Sequence, residues 1–376
     1  MKILSLMAQH HWTGPVEPEL LKLKELARRG HKITFCFSHK PEGTLASCID
    51  DYGLEVLDDV TLYRKRPSPL SFMKDVRLLR QHCRDRNIDI VHSHLSHDHF
   101  TALAMIRRLN RRPVLLRSVH ESRKLESKAG ERLLYSRADG FLVPASHFAR
   151  KLEQNFGIDP ERIAVVHGMV DANRFKPGLP TDALFEEIGA NKETKLIGIV
   201  SRIKPGRGHK ELIEAFRKIA PEFPDTRLLI VGKGEGVAAE VQRAADLVKA
   251  GRVHFLGYRK DDLPNILRAL SVKVLLGEGS DTTCRATLEA MACATPVIAA
   301  PVGALPDTID EKGGGLLIDV NVPDALEQAL RRALTEPGFS QEMGDRARTR
   351  ILERHTIEKA ADRVEAFYKK MCGVRA

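Results

Sequence analysis

Residues 198–216 read GIVSRIKPGRGHKELIEAF, and this is the most informative segment of the chain. A short apolar run ends at Ser201 and an amphipathic segment starts near His209, which indicates a buried strand, a loop and a helix. The loop carries two glycines, which let backbone N–H groups approach a ligand closely. The amino end of the helix adds a partial positive charge, and Arg202 and Arg207 add guanidinium groups that fit phosphate oxygens. The stretch predicts a diphosphate site in an α/β domain, with a plain basic surface loop as the open alternative.

The same alternation of apolar strands and amphipathic helices continues on both sides of this stretch. Continuous apolar strands separated by helices indicate a parallel sheet covered on both faces. The segment FKPGLP (175–180) interrupts the pattern with two prolines and a glycine, which is typical of a linker. We therefore predict two tandem doubly wound domains, one formed by residues 1–177 with the closing helix 356–376 and one by residues 190–355. Ligands of such sheets bind at the carboxyl ends of the strands, here in the cleft between the domains.

The charge of the chain is uneven along its 376 residues. Residues 1–180 hold 30 Lys and Arg against 21 Asp and Glu, so this half carries +9 of the net +10. A one-sided basic field attracts an anionic substrate or membrane surface, although a solvated helix face is the open alternative. Aromatic residues make up only 5 % of the chain and do not alternate with the basic residues, which argues against a nucleic-acid partner. The excess peaks at Arg107, Arg108, Arg111, Arg112, Arg117, Arg123, Lys124 and Lys128.

The remaining composition favours a soluble protein of the cytoplasm. No apolar run approaches the roughly 20 residues that a membrane helix needs, and the start of the chain reads as a first strand rather than a signal peptide. The six cysteines are scattered without a CxxC pair, so we expect free thiols and neither a disulfide frame nor a zinc site.

A second motif lies at residues 274–302, VLLGEGSDTTCRATLEAMACATPVIAAPV. A strand leads into a polar loop with Asp281, and a helix follows that carries Glu289. Two carboxylates at this spacing can accept hydrogen bonds from neutral polyols, such as a sugar and a ribose. Without further information, a capped helix with one acidic residue explains the pattern equally well.

Together the two motifs resemble the retaining nucleotide-sugar glycosyltransferases of family 4, which have the GT-B architecture. That family has Arg-x4-Lys-Gly before a helix, and this chain has Arg202-x4-Arg207-Gly208. The family also has Glu-x7-Glu followed by an Ala-Met-Ala segment, and this chain has Asp281-x7-Glu289 followed by AMACATPVIA. Smaller matches are ADGFLVPAS (138–146), ERIAVVHGMVDANRFKP (161–177), LLIVGKGEG (228–236) and VHFLGY (253–258). The resemblance implies two Rossmann-like domains, with the acceptor bound by the first and the donor mainly by the second.

The resemblance also implies roles for individual residues. Arg202 and Arg207 are expected to bind the donor diphosphate, and Glu289 to hold the ribose hydroxyls. Asp281 is expected to contact the donor sugar beside the loop amides of Thr283, Cys284 and Arg285. Backbone groups at Tyr258 are expected to contact the base. Gly14 and His120 of the first domain are expected near the phosphates and near the reacting carbon of the sugar.

A histidine cluster at His92, His94, His97 and His99 raises the question of a metal site. Alternation along a strand puts His92 and His94 on one face, but the sequence defines no carboxylate partner for them. An ordinary loop histidine is the open alternative for His120. The family needs no metal, so we expect neither metal nor any other cofactor, and the nucleotide diphosphate sugar as substrate.

The resemblance implies transfer with retention of configuration, because the family attacks from the front face and lacks an obvious carboxylate nucleophile. The basic first half predicts a glycan or glycolipid acceptor of the cell envelope, such as lipopolysaccharide core, with peripheral membrane attachment. Two alternatives stay open. One is a nucleotide-sugar epimerase of the same architecture, and the other is a non-catalytic protein that binds sugar nucleotides.

Overall fold

The computed structural model describes residues 1–39, 43–62, 68–121, 125–126, 129–277 and 283–373, with all side chains except those of Ala129 and Glu311. The chain forms two compact units. Met1–His167 and the segment from Ile357 onward make up unit 1, and Gly168–Thr356 make up unit 2.

Unit 1 contains a parallel sheet in the order β3-β2-β1-β4-β5-β6-β7. Its strands are β1 (Lys2–Met7), β2 (Lys32–Phe37), β3 (Glu55–Val56), β4 (Ile90–Ser93), β5 (Val114–Ser118), β6 (Gly140–Val143) and β7 (Ile163–Val165). The helices between them are α1 (Val16–Arg28), α2 (Pro69–Arg86), α3 (Ser96–Ile106), α4 (Ala129–Tyr135) and α5 (Ser146–Phe156). The central strand β1 is buried from Ile3 to Met7, which explains its nearly continuous apolar sequence.

Unit 2 repeats the architecture with a parallel sheet in the order β10-β9-β8-β11-β12-β13. Its strands are β8 (Lys195–Val200), β9 (Thr226–Val231), β10 (Val253–Gly257), β11 (Val272–Leu275), β12 (Val297–Ala299) and β13 (Gly315–Leu317). Its helices are α6 (Asp182–Glu187), α7 (His209–Ile219), α8 (Val237–Arg243), α9 (Ala245–Lys249), α10 (Leu263–Ala269), α11 (Arg285–Ala292), α12 (Ala325–Thr335) and α13 (Phe339–Arg354). The strand order reverses beside β8, so the loops after β8, β9 and β11 meet at the place where such sheets bind ligands.

The last helix, α14 (Ile357–Gly373), belongs to unit 1 and packs against α1. Arg29, which directly follows α1, donates to Asp362 Oδ1 at 2.8 Å and to Glu365 Oε2 at 3.0 Å. The buried hydroxyl of Tyr368 lies 2.6 Å from His92 Nδ1 of β4. The helix therefore completes the core of unit 1, although it follows unit 2 in the sequence.

The predicted fold class, two doubly wound parallel sheets in tandem, is confirmed. Two local features differ from the sequence prediction. Between β9 and β10 the alternation of strands and helices predicts one helix, but the structure has two, α8 and α9, which are divided at Ala244. The carbonyl of Arg243 beside this break accepts a hydrogen bond of 2.6 Å from Arg217 Nη2. The structure places residues 168–177 with unit 2, since Val170 and Phe175 are buried in its core.

All six cysteines are free thiols, as predicted. In the part of the chain that the structure describes, no helix is both long and apolar enough to cross a bilayer.

Candidate functional site

The carboxyl edge of the unit 2 sheet is formed by glycine-rich loops that lie directly against one another. Ile203, in the loop after β8, donates its N–H to the carbonyl of Lys233, in the loop after β9, at 3.1 Å. A Cβ atom at Gly232 would lie 2.0 Å from the carbonyl oxygen of Ser201, and one at Gly234 would lie 2.1 Å from that of Ile203. Only glycine permits this approach, so the GKGEG sequence serves to bring the two loops together.

The loop after β11 covers the other side of the β8 loop. A Cβ at Gly277 would lie 2.0 Å from the carbonyl oxygen of Gly206. Gly208 has a φ of +86°, and a Cβ there would lie 2.5 Å from Cβ of Leu276. The β8 loop is thus held between its two neighbours. Gly208 is needed both for this contact and for its backbone conformation, whereas Gly206 is needed for its positive φ alone.

Positive charge is concentrated on this β8 loop. The side chains of Arg202 and Lys204 are exposed, whereas Arg207 is 8 % exposed. Helix α7 begins directly after Gly208, and within the described residues no side chain caps its amino end. Free N–H groups at a helix amino end together with guanidinium groups form a site for phosphate oxygens. The diphosphate role of Arg202 and Arg207 stays a prediction, and the geometry is compatible with it.

His209, the first residue of α7, is buried beneath the loop. Its Nε2 lies 3.3 Å from Ser201 Oγ. Burial and the neighbouring Arg207 guanidinium lower the pKa of His209 to about 4, so the ring is neutral near pH 7. The sequence showed this histidine in the motif, but its burial follows only from the packing of the loops.

Tyr258 lies at the adjacent end of β10 and is 63 % exposed. The ammonium nitrogen of Lys233 lies 4.9 Å from the centroid of its ring, within cation–π range. The N–H of Gly232 donates to the carbonyl of Gly257 at 2.8 Å, which ties this strand end to the β9 loop. Lys233 belongs to the LLIVGKGEG segment, and the sequence prediction assigned it no role. A cation between two glycines directly after a strand could have indicated a functional residue.

Helix α11 brings the residues of the second motif to the same edge. Cys284 precedes the helix in the left-handed conformation, with φ +53°. Thr283 packs on Gly168, where a Cβ atom would lie 2.6 Å from that of Thr283. Arg285 Nε lies 3.4 Å from Glu289 Oε1, and Glu289 is 8 % exposed. The ion pair orients the carboxylate along the helix, while Asp281 lies outside the described residues.

A buried lysine supports α11 from below. Lys273 of β11 is fully buried, and its Nζ donates to Thr287 Oγ1 at 2.6 Å. Burial, only partly opposed by Cys284 and Glu289, lowers the pKa of Lys273 to about 8. The sequence prediction missed this residue because a single lysine in an apolar strand gives no sign of its partner.

The remaining predicted residues, Gly14 and His120, belong to unit 1. Gly14 lies in the turn that precedes α1, and His120 is half-buried in the loop after β5. Burial, which outweighs the attraction of Glu19, lowers the pKa of His120 to about 4. Its ring stacks on that of His94 with a centroid separation of 5.9 Å. A neutral imidazole donates one hydrogen bond from the protonated ring nitrogen and accepts one at the other.

The histidine cluster divides into two groups. The rings of His92 and His94 lie 4.2 Å apart, so they share a face as predicted. His99 instead bonds Ser93 Oγ at 2.7 Å, and His97 is half-buried on α3. The alternation of residues along β4 explains the first pair, and the start of α3 separates the second.

The carboxylate that the sequence did not reveal comes from α1. Ligand atoms of Glu19, His94 and His120 all lie within 4.8 Å of one another. Lys22 Nζ lies 2.5 Å from Glu19 Oε1, so an ammonium group already compensates this carboxylate. Burial acts to raise the pKa of Glu19, but Lys22 and the nearby imidazoles outweigh it and the pKa is lowered. A metal ion would have to compete with Lys22, and the expectation of a metal-free enzyme stays a prediction.

The predicted residues therefore form two sets. Unit 2 gathers Arg202, Arg207, Tyr258, Thr283, Cys284, Arg285 and Glu289 on the loops and helix starts at one edge of its sheet. Gly14 and His120 follow β1 and β5 at the corresponding edge of the unit 1 sheet. Parallel strands bring their carboxyl ends to the same edge, which explains why distant sequence segments meet in each unit.

Two family models match the chain. The glycosyltransferase family 4 model matches residues 22–174, and the glycosyl transferases group 1 model matches residues 180–350. The D-inositol 3-phosphate glycosyltransferase of Segniliparus rotundus is 29 % identical over 252 residues, covering 65 % of this chain and 55 % of that protein. This chain thus spans about half the length of that relative. The N-acetyl-alpha-D-glucosaminyl L-malate synthase of Bacillus anthracis is 24 % identical over 352 residues, covering 92 % of this chain and 91 % of that protein.

A solved structure shows the same fold. HepE of Anabaena in complex with UDP has a TM-score of 0.82 at 19 % identity, over 98 % of this chain and 100 % of that chain. A further HepE structure contains UDP-glucose, with a TM-score of 0.77 at 20 % identity, over 98 % of this chain and 99 % of that one. The match to the first family model ends at residue 174 and the match to the second begins at residue 180, so the two together span most of the sequence. The chain therefore belongs to glycosyltransferase family 4 and has the GT-B fold.

Proposed function

We propose that this protein transfers a sugar from a uridine diphosphate sugar to an anionic acceptor, with retention of anomeric configuration. The observation that carries the proposal is the β8 loop, which lies between two glycine-rich loops and combines two arginines with a helix amino end that no side chain of the described residues caps. HepE, which has the same fold, was solved with UDP and with UDP-glucose, and this supports uridine as the base.

In this proposal, unit 2 stabilises the departing nucleotide. Arg202 and Arg207 neutralise the charge that develops on the diphosphate as the glycosidic bond breaks, and the N–H groups of α7 add further donors. Glu289 accepts hydrogen bonds from the ribose hydroxyls, and the ring of Tyr258 marks the base end of the site. These fixed positive charges take the place of a divalent metal ion, so no metal is required.

In this proposal, His120 of unit 1 forms a hydrogen bond with the donor sugar. Its ring is neutral near pH 7, because burial lowers its pKa to about 4. A neutral imidazole can hydrogen-bond a sugar hydroxyl without placing a positive charge beside the electron-poor anomeric carbon. The leaving phosphate itself takes the acceptor proton in the front-face reaction, so no carboxylate nucleophile is needed.

The acceptor carries negative charge in this proposal. The first half of the chain has a net charge of +9, and the two relatives compared above are named for inositol phosphate and malate, both anions at neutral pH. A phosphorylated glycolipid or lipopolysaccharide core of the cell envelope fits this field and peripheral attachment to the membrane.

A thermal-shift screen against UDP, GDP, ADP and CMP and their sugar conjugates tests the donor. A ligand at a hundred times its dissociation constant stabilises the protein by about 2.7 kcal/mol, which is readily measured. We expect the largest shift with UDP conjugates, and no shift with any of them would refute the proposal. Incubation with the donor alone separates the alternatives, since an epimerase converts the sugar and a non-catalytic binder neither converts nor hydrolyses it. The anomer of the transferred sugar, read by NMR, tests retention.

The variant Arg202→Ala tests the role of the diphosphate loop. Loss of one electrostatic contact to a developing charge costs about 2–4 kcal/mol, so kcat/KM is expected to fall roughly thirtyfold to a thousandfold. Lys204→Ala is the matched control, because Lys204 is an exposed cation of the same loop with no assigned contact to the donor. Equal kcat/KM for Arg202→Ala and the wild type would contradict the assignment.

A further inference from the structure

Helices α2 and α3 of unit 1 lie side by side and point in the same direction. At their amino ends the rings of Phe72 and Phe100 stack with a centroid separation of 5.4 Å. Towards their carboxyl ends Arg80 Nε donates to the carbonyl of Met105, and Arg84 Nη2 donates to that of Arg108, both at 3.2 Å. Contacts therefore join the two helices along their length, and their side chains form one continuous surface.

The amino ends of this pair expose large apolar side chains. Leu70 is 83 % exposed, Met73 63 % and Phe100 52 %. A single exposed apolar residue needs no explanation, but three on two adjoining helix ends form a patch that water solvates poorly.

Exposed cations follow the patch along the same two helices. Lys74 and Arg77 come next on α2, and Arg107 directly follows the last residue of α3, about two helical turns beyond Phe100. Within the described residues these three cations form no ion pair. The acids near the patch are turned inward, since Asp75 is buried and bonds the hydroxyl and N–H of Thr61, while Asp98 is buried and bonds the N–H of Leu95.

We propose that this surface, formed by the amino ends of α2 and α3, docks unit 1 onto an anionic lipid bilayer. Leu70, Met73 and Phe100 enter the boundary between headgroups and acyl chains, and the cations contact lipid phosphates. This combination of apolar tips and basic flanks characterises interfacial membrane binding. The positive ends of the two helix dipoles face the same anionic surface.

Charge decides between a bilayer and a second copy of the chain. A symmetric dimer through this patch would bring two sets of the same three cations together, and their repulsion costs energy in a protein with a net charge of +10. An anionic bilayer instead attracts every one of them. The bilayer is therefore the partner that this surface fits.

The patch lies at the edge of unit 1 where the proposed function places the donor sugar, and the inference rests on that proposed function. Helix α3 begins three residues after β4 ends, so its amino end lies at the carboxyl edge of the sheet, where His94 and His120 also lie. A protein docked at this edge meets a phosphorylated glycolipid in the plane of its own headgroups.

Co-sedimentation with vesicles tests the proposal. The full chain is mixed with vesicles of phosphatidylcholine alone or of equal parts phosphatidylcholine and phosphatidylglycerol, at low and high salt. We expect binding to the anionic vesicles only, and a steep loss with salt. The variant K74Q/R77Q/R107Q should bind roughly a hundredfold more weakly, at about fivefold for each cation. L70Q/F100Q should bind at least about tenfold more weakly, because the apolar side chains no longer insert.

Matched controls lie in unit 2. Lys249 is an exposed cation of α9, and Leu352 is a 46 % exposed leucine of α13, so K249Q and L352Q change the same residue types elsewhere. Equal binding to both kinds of vesicle, no binding at all, or equal losses in the controls would each overturn the proposal. So would a concentration-dependent dimer in sedimentation velocity that L70Q/F100Q abolishes, since this would assign the patch to self-association.

Activity in solution separates this proposal from the proposed function. Hydrolysis of the donor without vesicles should be the same in the wild type and in both surface variants. Vesicle binding without transfer or hydrolysis would leave the docking surface intact and refute the transferase. Transfer to a water-soluble acceptor without vesicle binding would refute the docking surface alone.

Discussion

Adding one methyl group at Gly277 should disturb the whole carboxyl edge of unit 2. In the variant Gly277→Ala, the new Cβ would lie 2.0 Å from the carbonyl oxygen of Gly206 and 2.8 Å from Cα of Arg207. Both contacts are with backbone atoms, so no side-chain rotation relieves them and the loops must separate by about an ångström. Overpacking of this kind costs about 1–3 kcal/mol.

The loss should appear in two separate measurements. In a unit of this size each kcal/mol lowers Tm by about 2–4 °C, so we expect Tm to fall by roughly 2–12 °C in differential scanning fluorimetry. The same displacement moves Arg207 and the start of α7, so the additional stabilisation by UDP should also shrink. A misplacement of about 1 Å in a binding site can cost a hundredfold in activity.

The matched control is Gly130→Ala. Gly130 is an exposed residue of α4, and a Cβ atom there would meet nothing within 4 Å. This variant should be neutral or more stable by about 0.4–1 kcal/mol, because alanine has less conformational freedom in the unfolded chain. Wild-type Tm and wild-type UDP response in Gly277→Ala would show that the two loops are not in contact, and the reasoning about the site would fail.

Two further predictions concern buried titratable groups of unit 2. The pKa of His209 is about 4 in the folded state against 6.5 for the free side chain, so the unfolded state binds the additional proton between these values. Stability should therefore fall as pH is lowered from 6.5 towards 4, by up to about 1.4 kcal/mol per pH unit, and His209→Gln should remove this share from urea unfolding curves measured across that range. An unchanged slope would contradict the burial of His209. The pKa of Lys273 is lowered from 10.5 to about 8, so the unfolded state binds more protons between those values and stability should rise with pH there. Lys273→Met should flatten this rise and increase the free energy of unfolding at pH 7 by about 1–3 kcal/mol, whereas a loss of stability would show that the bond to Thr287 outweighs the burial of the ammonium group.

The strands and the motif loops could be predicted from the sequence, and the contacts between them could not. The first strand predicted at the start of the chain matches β1, because a strand buried in a parallel sheet is apolar at nearly every position. The glycines at 206 and 208 indicated a close backbone approach but did not say to what. The segment that approaches them is Leu276 and Gly277, about 70 residues further along the chain, and only the order of the strands in the sheet brings the two segments together.

The pairs of buried polar residues could not be predicted from the sequence either. Glu19 and Lys22 are three residues apart on α1 and read as an ordinary exposed pair, yet both are buried, and Glu19 lies beside His94. Lys273 and Thr287 lie on different elements, and nothing local to either indicates the other. A sequence pattern reports which face of an element is apolar, but the partner of a buried polar group depends on the tertiary structure.

The position of α14 has a consequence for how the protein forms in the cell. Unit 1 begins at the first residue, but its core includes Tyr368 and its surface ion pairs include Asp362 and Glu365, which the ribosome adds only after all of unit 2. At ordinary rates of translation, about 190 intervening residues take roughly ten to forty seconds to synthesise. During this interval the surface of α1 and β4 that α14 covers stays exposed to solvent, so the first unit reaches its complete core only when the final helix has been made.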